Sequence, residues 1–94
     1  MPRPRIKRRL RFSPNATYFK PRGVPLSSLE EVELLPDELE AIKLYDVDRL
    51  KQTEAASKMK VSQPTFARIL SSARIKIANA IIYGKAIRIS ENKK

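Results

Sequence analysis

The sequence predicts a small all-α domain: a helix-turn-helix, with an extended basic arm in front of it and a short strand behind. Three observations carry this. Gln52 to Leu70 fits a helix, a tight turn and a second helix position by position, and apolar residues recur at helical spacing from Leu35 to Tyr45. Five of the seven prolines fall within the first 25 residues. Proline removes a backbone donor and disfavours helix in the residue before it, so that stretch is extended or irregular. The chain divides into an arm over 1–25, a helical domain over 26–84 and a tail over 85–94.

The arm carries Arg3, Arg5, Lys7, Arg8, Arg9 and Arg11. Six cations so close together repel one another unless a polyanion is present. The cluster reads as an arm that tracks phosphates or enters a minor groove, against the alternative of a solvated tail. Phe12, Tyr18 and Phe19 follow, and their bulk suits anchoring this segment onto the helical core better than stacking on bases.

Pro25 to Val32 reads as one short helical turn, capped by Ser27 or Ser28. Pro36 then marks a helix start, with the cap at or just before it. Over 37–47, Leu35, Leu39, Ile42 and Tyr45 share a face, and Glu40 and Lys43 point away from it. Ala41 and Leu44 lie off that stripe, which implies cover on more than one side. The Asp46–Asp48 stretch ends the helix.

In the next stretch Ala55 and Ala56 supply small residues where two helices meet, Met59 and Val61 straddle the turn, and Ser62 is a good N-cap. Pro64 falls in the first turn of the second helix, where its missing donor is harmless. Phe66, Ile69, Leu70, Ala73 and Ile77 continue an apolar stripe, and the helix runs from about 63 to 82 with Gly84 just past its end. Lys60 occupies a turn position where a left-handed backbone favours glycine; another residue there costs about 1 kcal/mol. Lys85 to Ile89 alternates weakly and reads as a short strand, its partner Leu10–Phe12 or another chain.

Composition narrows the function. Neither cysteine nor histidine occurs, which removes disulfides, thiolate and imidazole metal sites, Cys and His nucleophiles, and the usual general base. No enzyme activity, metal or cofactor is expected. No apolar run approaches a membrane span and the basic opening lacks a signal peptide's apolar core, so a cytoplasmic location without membrane contact is expected. The net charge of +10 is laid out in blocks. Residues 1–29 hold eight Lys/Arg and no acid, 30–54 hold three against nine acids, and 55–94 hold nine against one. Polyanion binding therefore falls to the flanks.

Several phrases resemble a prokaryotic family of short, uncharacterised proteins predicted to bind DNA, domain-of-unknown-function family one hundred and thirty-four. They are Met1-Pro2-Arg3-Pro4-Arg5, Tyr18-Phe19-Lys20-Pro21, Leu29-Glu30-Glu31-Val32, Asp37-Glu38-Leu39-Glu40-Ala41-Ile42, Glu54-Ala55-Ala56, Val61-Ser62-Gln63-Pro64-Thr65-Phe66, and Ala73-Arg74 with Lys76-Ile77-Ala78. Residues 35–82 also resemble, more loosely, the helix-turn-helix of sigma factor region four. The resemblance implies that fold and DNA binding, without a target. Many relatives carry cysteines near positions 7 and 11, where this sequence has Lys7 and Arg11, so no metal or redox role is carried over. A nitrogenase-cofactor-related domain that follows in some relatives is not expected here.

The expected function is sequence-specific binding of double-stranded DNA by a transcriptional regulator, with the second helix in the major groove. Gln63, Thr65 and Arg68 are the expected base readers, and Lys60, Ser62, Ser71, Ser72 and Lys76 the phosphate contacts, joined by the basic arm. One such motif reads a short site, and useful specificity usually requires a dimer, so a homodimer is one possible form beside the monomer. Ile75, Ile81 and Ile82 either supply its surface or close the core. The alternative partners are RNA or the ribosome, held through the arm, and RNA polymerase, held through Glu30–Glu40. Those acids otherwise read as solvated first-turn charges.

Overall fold

The computed structural model describes Pro14 and residues 16–90. Among them lie β1 (Tyr18–Phe19), β2 (Glu31–Leu34), α1 (Pro36–Ile42), α2 (Gln52–Met59), α3 (Gln63–Tyr83) and β3 (Ala86–Ile89). Helix dominates, but the three strands join in one sheet of order β1-β3-β2, which corrects the all-α expectation. β3 is the expected C-terminal strand. It runs antiparallel to β1, with Tyr18 opposite Arg88, and parallel to β2, with Glu31 opposite Ala86 and Leu34 opposite Ile89. Leu10–Phe12, its expected partner, lies outside the described residues.

The helical turn expected over Pro25–Val32 is confined to Leu26–Ser28. Glu31-Val32-Glu33-Leu34 alternates polar and apolar residues and forms β2 instead, with Leu34 buried. Pro36 sits in the first turn of α1, and the Glu38 carboxylate accepts the Leu35 N–H at 2.9 Å, tying down one otherwise orphaned donor. α1 continues through a wide π turn over Lys43–Val47, closed by the Asp48 N–H on the Lys43 carbonyl at 2.8 Å. Lys43 also grips both oxygens of Asp48, at 2.8 and 3.0 Å.

α1 is covered on two sides, as Ala41 and Leu44 suggested. Those two join Ala55, Ala56, Phe66 and Leu70 in one buried cluster, flanked by Tyr45, Met59 and Val61. The rings of Tyr45 and Phe66 meet at a tilt, 6.3 Å between centroids. A second cluster of Leu34, Ala73 and Ile89, with Leu39, Ile77 and Ile87 against it, seats the sheet on α3. Phe66 is fully buried, and truncating such a ring to alanine costs about 3–5 kcal/mol.

The acids of α1 are not all solvated. Glu40 is buried, against the expectation that it points away from the core. Glu38 is buried as well, between Ser72 Oγ at 2.6 Å and Lys76 Nζ at 2.8 Å. Lys76 also donates to the Glu33 carbonyl at 2.7 Å, so one side chain links β2, α1 and α3. Burial pushes the Glu38 carboxyl upward in pKa, but the Leu35 N–H, the Lys76 ammonium and the Ser72 hydroxyl outweigh it and the net shift is downward.

Candidate nucleic-acid interface

α2 and α3 are joined by a tight turn whose geometry follows from its residues. Lys60 adopts φ +62° and ψ +40°, the left-handed conformation the sequence anticipated. That twist lets Lys60 N–H reach the Ser57 carbonyl and Val61 N–H the Ala56 carbonyl, both at 3.1 Å, which satisfies the end of α2. Ser62 then caps α3: its Oγ accepts the Thr65 N–H at 3.2 Å and donates to Thr65 Oγ1 at 2.9 Å. Gln63 opens α3, and its Nε2 donates to Gln52 Oε1 at 3.4 Å. Gln52 opens α2, so the N-terminal ends of both helices converge on one side of the domain.

The expected site residues separate into two groups. Gln63, Arg68 and Ser71 are exposed on α3, Thr65 is half-buried beside its cap, and Lys60 and Ser62 are exposed in the turn. These six form one continuous region. Ser72 and Lys76 do not join it. Both turn to Glu38, so the structure places them in the polar network that holds α1 to α3. Arg3, Arg5, Lys7, Arg8, Arg9 and Arg11 lie outside the described residues.

Two cations missed in the sequence belong to this region. Arg49 and Lys51 lead directly into α2, and with Asp46 and Gln52 they line an open cleft of about 610 Å³. Arg49 holds φ +65° and ends the widened helix, with the Leu50 N–H returning to the Leu44 carbonyl at 3.0 Å. Their position just ahead of α2 was the available signal.

Charge pairing distinguishes this region from the rest. Among the described residues Arg49, Lys51, Lys60 and Arg68 have no side-chain hydrogen bond or ion pair, a state shared only by Arg22 on the loop after β1. On the sheet side Lys85 pairs with Glu30 at 3.4 Å, and Arg88 with Glu31 at 3.3 Å and Glu33 at 3.5 Å. The Tyr18 hydroxyl donates to Glu31 at 2.7 Å and, with Arg88 helping against desolvation, holds that carboxyl below its ordinary pKa. Arg74 pairs with Asp46 and lies 5.4 Å from the centre of the Tyr45 ring. The Asp46 hydrogen bond raises the Arg74 pKa further.

These features define a small, mostly helical domain with a cationic face built on two converging helix ends. The chain belongs to the family described as "Protein of unknown function DUF134", whose model matches residues 1–93. A UPF0251 protein of Caldanaerobacter subterraneus subsp. tengcongensis is 61% identical over 95% of this chain and 75% of its own length. Its counterpart in Moorella thermoacetica is 58% identical over 95% of this chain and 60% of its own length. One from Thermoanaerobacter sp. is 57% identical over 95% and 79%. No solved structure gives a significant match. No described helix is long and apolar enough to cross a membrane.

Proposed function

We propose that this chain binds double-stranded DNA sequence-specifically, as a transcriptional regulator, through a helix-turn-helix similar to sigma factor region four and formed by α1, α2 and α3. One observation carries the reading: Arg49, Lys51, Lys60 and Arg68, at the ends of α2 and α3, have no internal partner among the described residues, while Lys85 and Arg88 on the sheet side each hold an acid. An unpaired cation is free to neutralise a phosphate and release its counterion. In the reading α3 enters the major groove, where Arg68 and Gln63 carry the donors that base edges accept. Thr65 contacts bases from the first turn, as far as its cap allows. Lys60, Ser62, Ser71, Arg49 and Lys51 hold the backbone on either side.

Selection from a random duplex library, with affinity followed against salt, tests the proposal. The expected result is a recovered motif and a log–log salt slope of about −0.9 for each phosphate neutralised. Arg68→Ala is expected to relax one position of that motif and weaken binding by roughly 10- to 100-fold. No motif, together with equal or tighter binding to RNA, would overturn it.

A further inference from the structure

The outward stripe of α3 changes character along its length. Pro64, Arg68, Ser71, Ile75, Ala78 and Ile82 follow one another at three- and four-residue steps, and all are exposed. The first three are polar or cationic, or lie at the cap. The last three are apolar, with Ile75 63% and Ile82 72% exposed. The alternative that these isoleucines close the core is thereby excluded. Ile81 departs from the stripe; it lies toward β1, where it borders a groove with Phe19, Pro21 and Ile87.

We propose that Ile75, Ala78 and Ile82 form the seam of a homodimer in which two copies of α3 pack antiparallel about a two-fold axis between Ala78 and Asn79. Self-complementarity argues for a second copy. About that axis Ile75 of one chain faces Ile82 of the other, and Ile82 faces Ile75, the isologous arrangement a two-fold requires. The small Ala78 at the centre lets the helices approach closely. Charge argues the same way. A chain of net charge +10 resists self-association unless the contact is locally neutral. Beside this seam Arg74 is paired with Asp46 and Lys76 with Glu38, and Ser71, Ser72 and Asn79 are uncharged. The cations without partners lie at the other end of the helix.

The arrangement also sets a distance, and this step alone rests on the DNA-binding reading. At about 1.5 Å per residue, the two Arg68 positions fall about 32 Å apart along the seam and the two Thr65 positions about 40 Å. Those values bracket the roughly 34–36 Å of one DNA turn that separates half-sites read by a two-fold dimer.

Sedimentation equilibrium of the full chain without DNA, beside the double variant Ile75→Lys/Ile82→Lys, tests the dimer. Both substitutions are on exposed positions, and circular dichroism checks that the variant keeps its helix. The expected result is a concentration-dependent dimer whose dissociation constant rises at least about 100-fold in the variant. A monomer at all concentrations, or a dimer indifferent to the two lysines, would overturn the proposal. Selected DNA then tests the spacing separately. Paired half-sites about 10 base pairs apart agree with the two-fold, another spacing in a confirmed dimer refutes the antiparallel geometry, and failure to bind DNA at all falls on the function alone.

Discussion

The two ends of α3 lie on one helix yet treat charge in opposite ways. In the middle and toward the sheet, cations are consumed internally: Lys76 in the buried contact with Glu38, Arg74 on Asp46, Lys85 on Glu30. At the N-terminal end Lys60 and Arg68 have no partner among the described residues, and Arg49 and Lys51 join them from across the turn. Sequence charge is similar in kind at both ends, so composition does not separate them. Whether an acid lies within reach does. The difference teaches that the cations a basic protein has free for a partner emerge only after those its own fold has already used are subtracted.

The strongest way to break this comparison is to remove the acid from the holding end. Glu38→Ala leaves Lys76 and Ser72 facing a lost partner. Breaking such a buried pair costs about 3 kcal/mol, which in a domain this small lowers Tm by roughly 10–20 °C. Thermal unfolding checks it. DNA affinity measured well below that Tm should be unchanged. The same carboxylate sets a pH dependence. Its folded pKa is lowered, so its stabilisation is present above its unfolded value near 4.5 and is lost as pH falls through the folded value. The gap in Tm between the native chain and Glu38→Gln should therefore narrow as pH drops from 7 to 3.

The mirror experiment acts on the proposed binding end. Arg68→Ala should weaken specific DNA binding by roughly 10- to 100-fold and move Tm by little, since an exposed side chain without partners contributes about 0.5 kcal/mol or less. Arg88→Ala, which removes a cation that is also exposed but paired with Glu31 and Glu33, should leave DNA binding nearly intact. Equal loss in the two variants would show that only total charge matters, and the distinction between the ends would fail.

The turn between α2 and α3 was the legible part of this sequence. Its features are local: the Ala55-Ala56 pair, the cap at Ser62, the proline at position 64 and the left-handed strain at Lys60 all act within a few residues. The holding end was not. Ser72 and Glu38 are 34 residues apart, and Lys76 and Glu38 are 38 apart, so nothing in one helical period relates them. Read by period alone, Ser72 and Lys76 fell on the polar side of α3 and counted as phosphate contacts. β2 was missed for a related reason. Four alternating residues between a turn and a proline carry little signal until a distant strand, β3, provides their hydrogen bonds. α1 shows the middle case, since Ala41 and Leu44 signalled a second covered side, yet the burial of Glu40 left no trace.

A smaller effect tests whether Ser62 belongs to holding or to binding. Its hydroxyl caps α3 through Thr65, and Ser62→Ala should destabilise the domain by about 1 kcal/mol by thermal or urea unfolding. Replacement by Asp keeps the cap but sets a negative charge against the proposed phosphate path. Stability should recover in Ser62→Asp while DNA binding falls further. Recovery of both would make the residue a cap alone.

Lys60 allows the smallest and sharpest test, because its two roles have opposite signs. The left-handed backbone at φ +62° costs a lysine about 1 kcal/mol relative to glycine, whose missing Cβ removes the penalty. Lys60→Gly is therefore expected to stabilise the domain, by somewhat less than that amount because glycine also frees the unfolded chain. The same change removes one of the four cations of the proposed binding face, so DNA affinity should fall a few-fold and the log–log salt slope should become shallower by about 0.9. A protein made more stable and less able to bind by one substitution would mean that the strained lysine is retained for the contact it makes with a polyanion. If stability rises and the salt slope does not move, Lys60 faces only solvent, and the phosphate path must run on the Arg49–Lys51 side of α2.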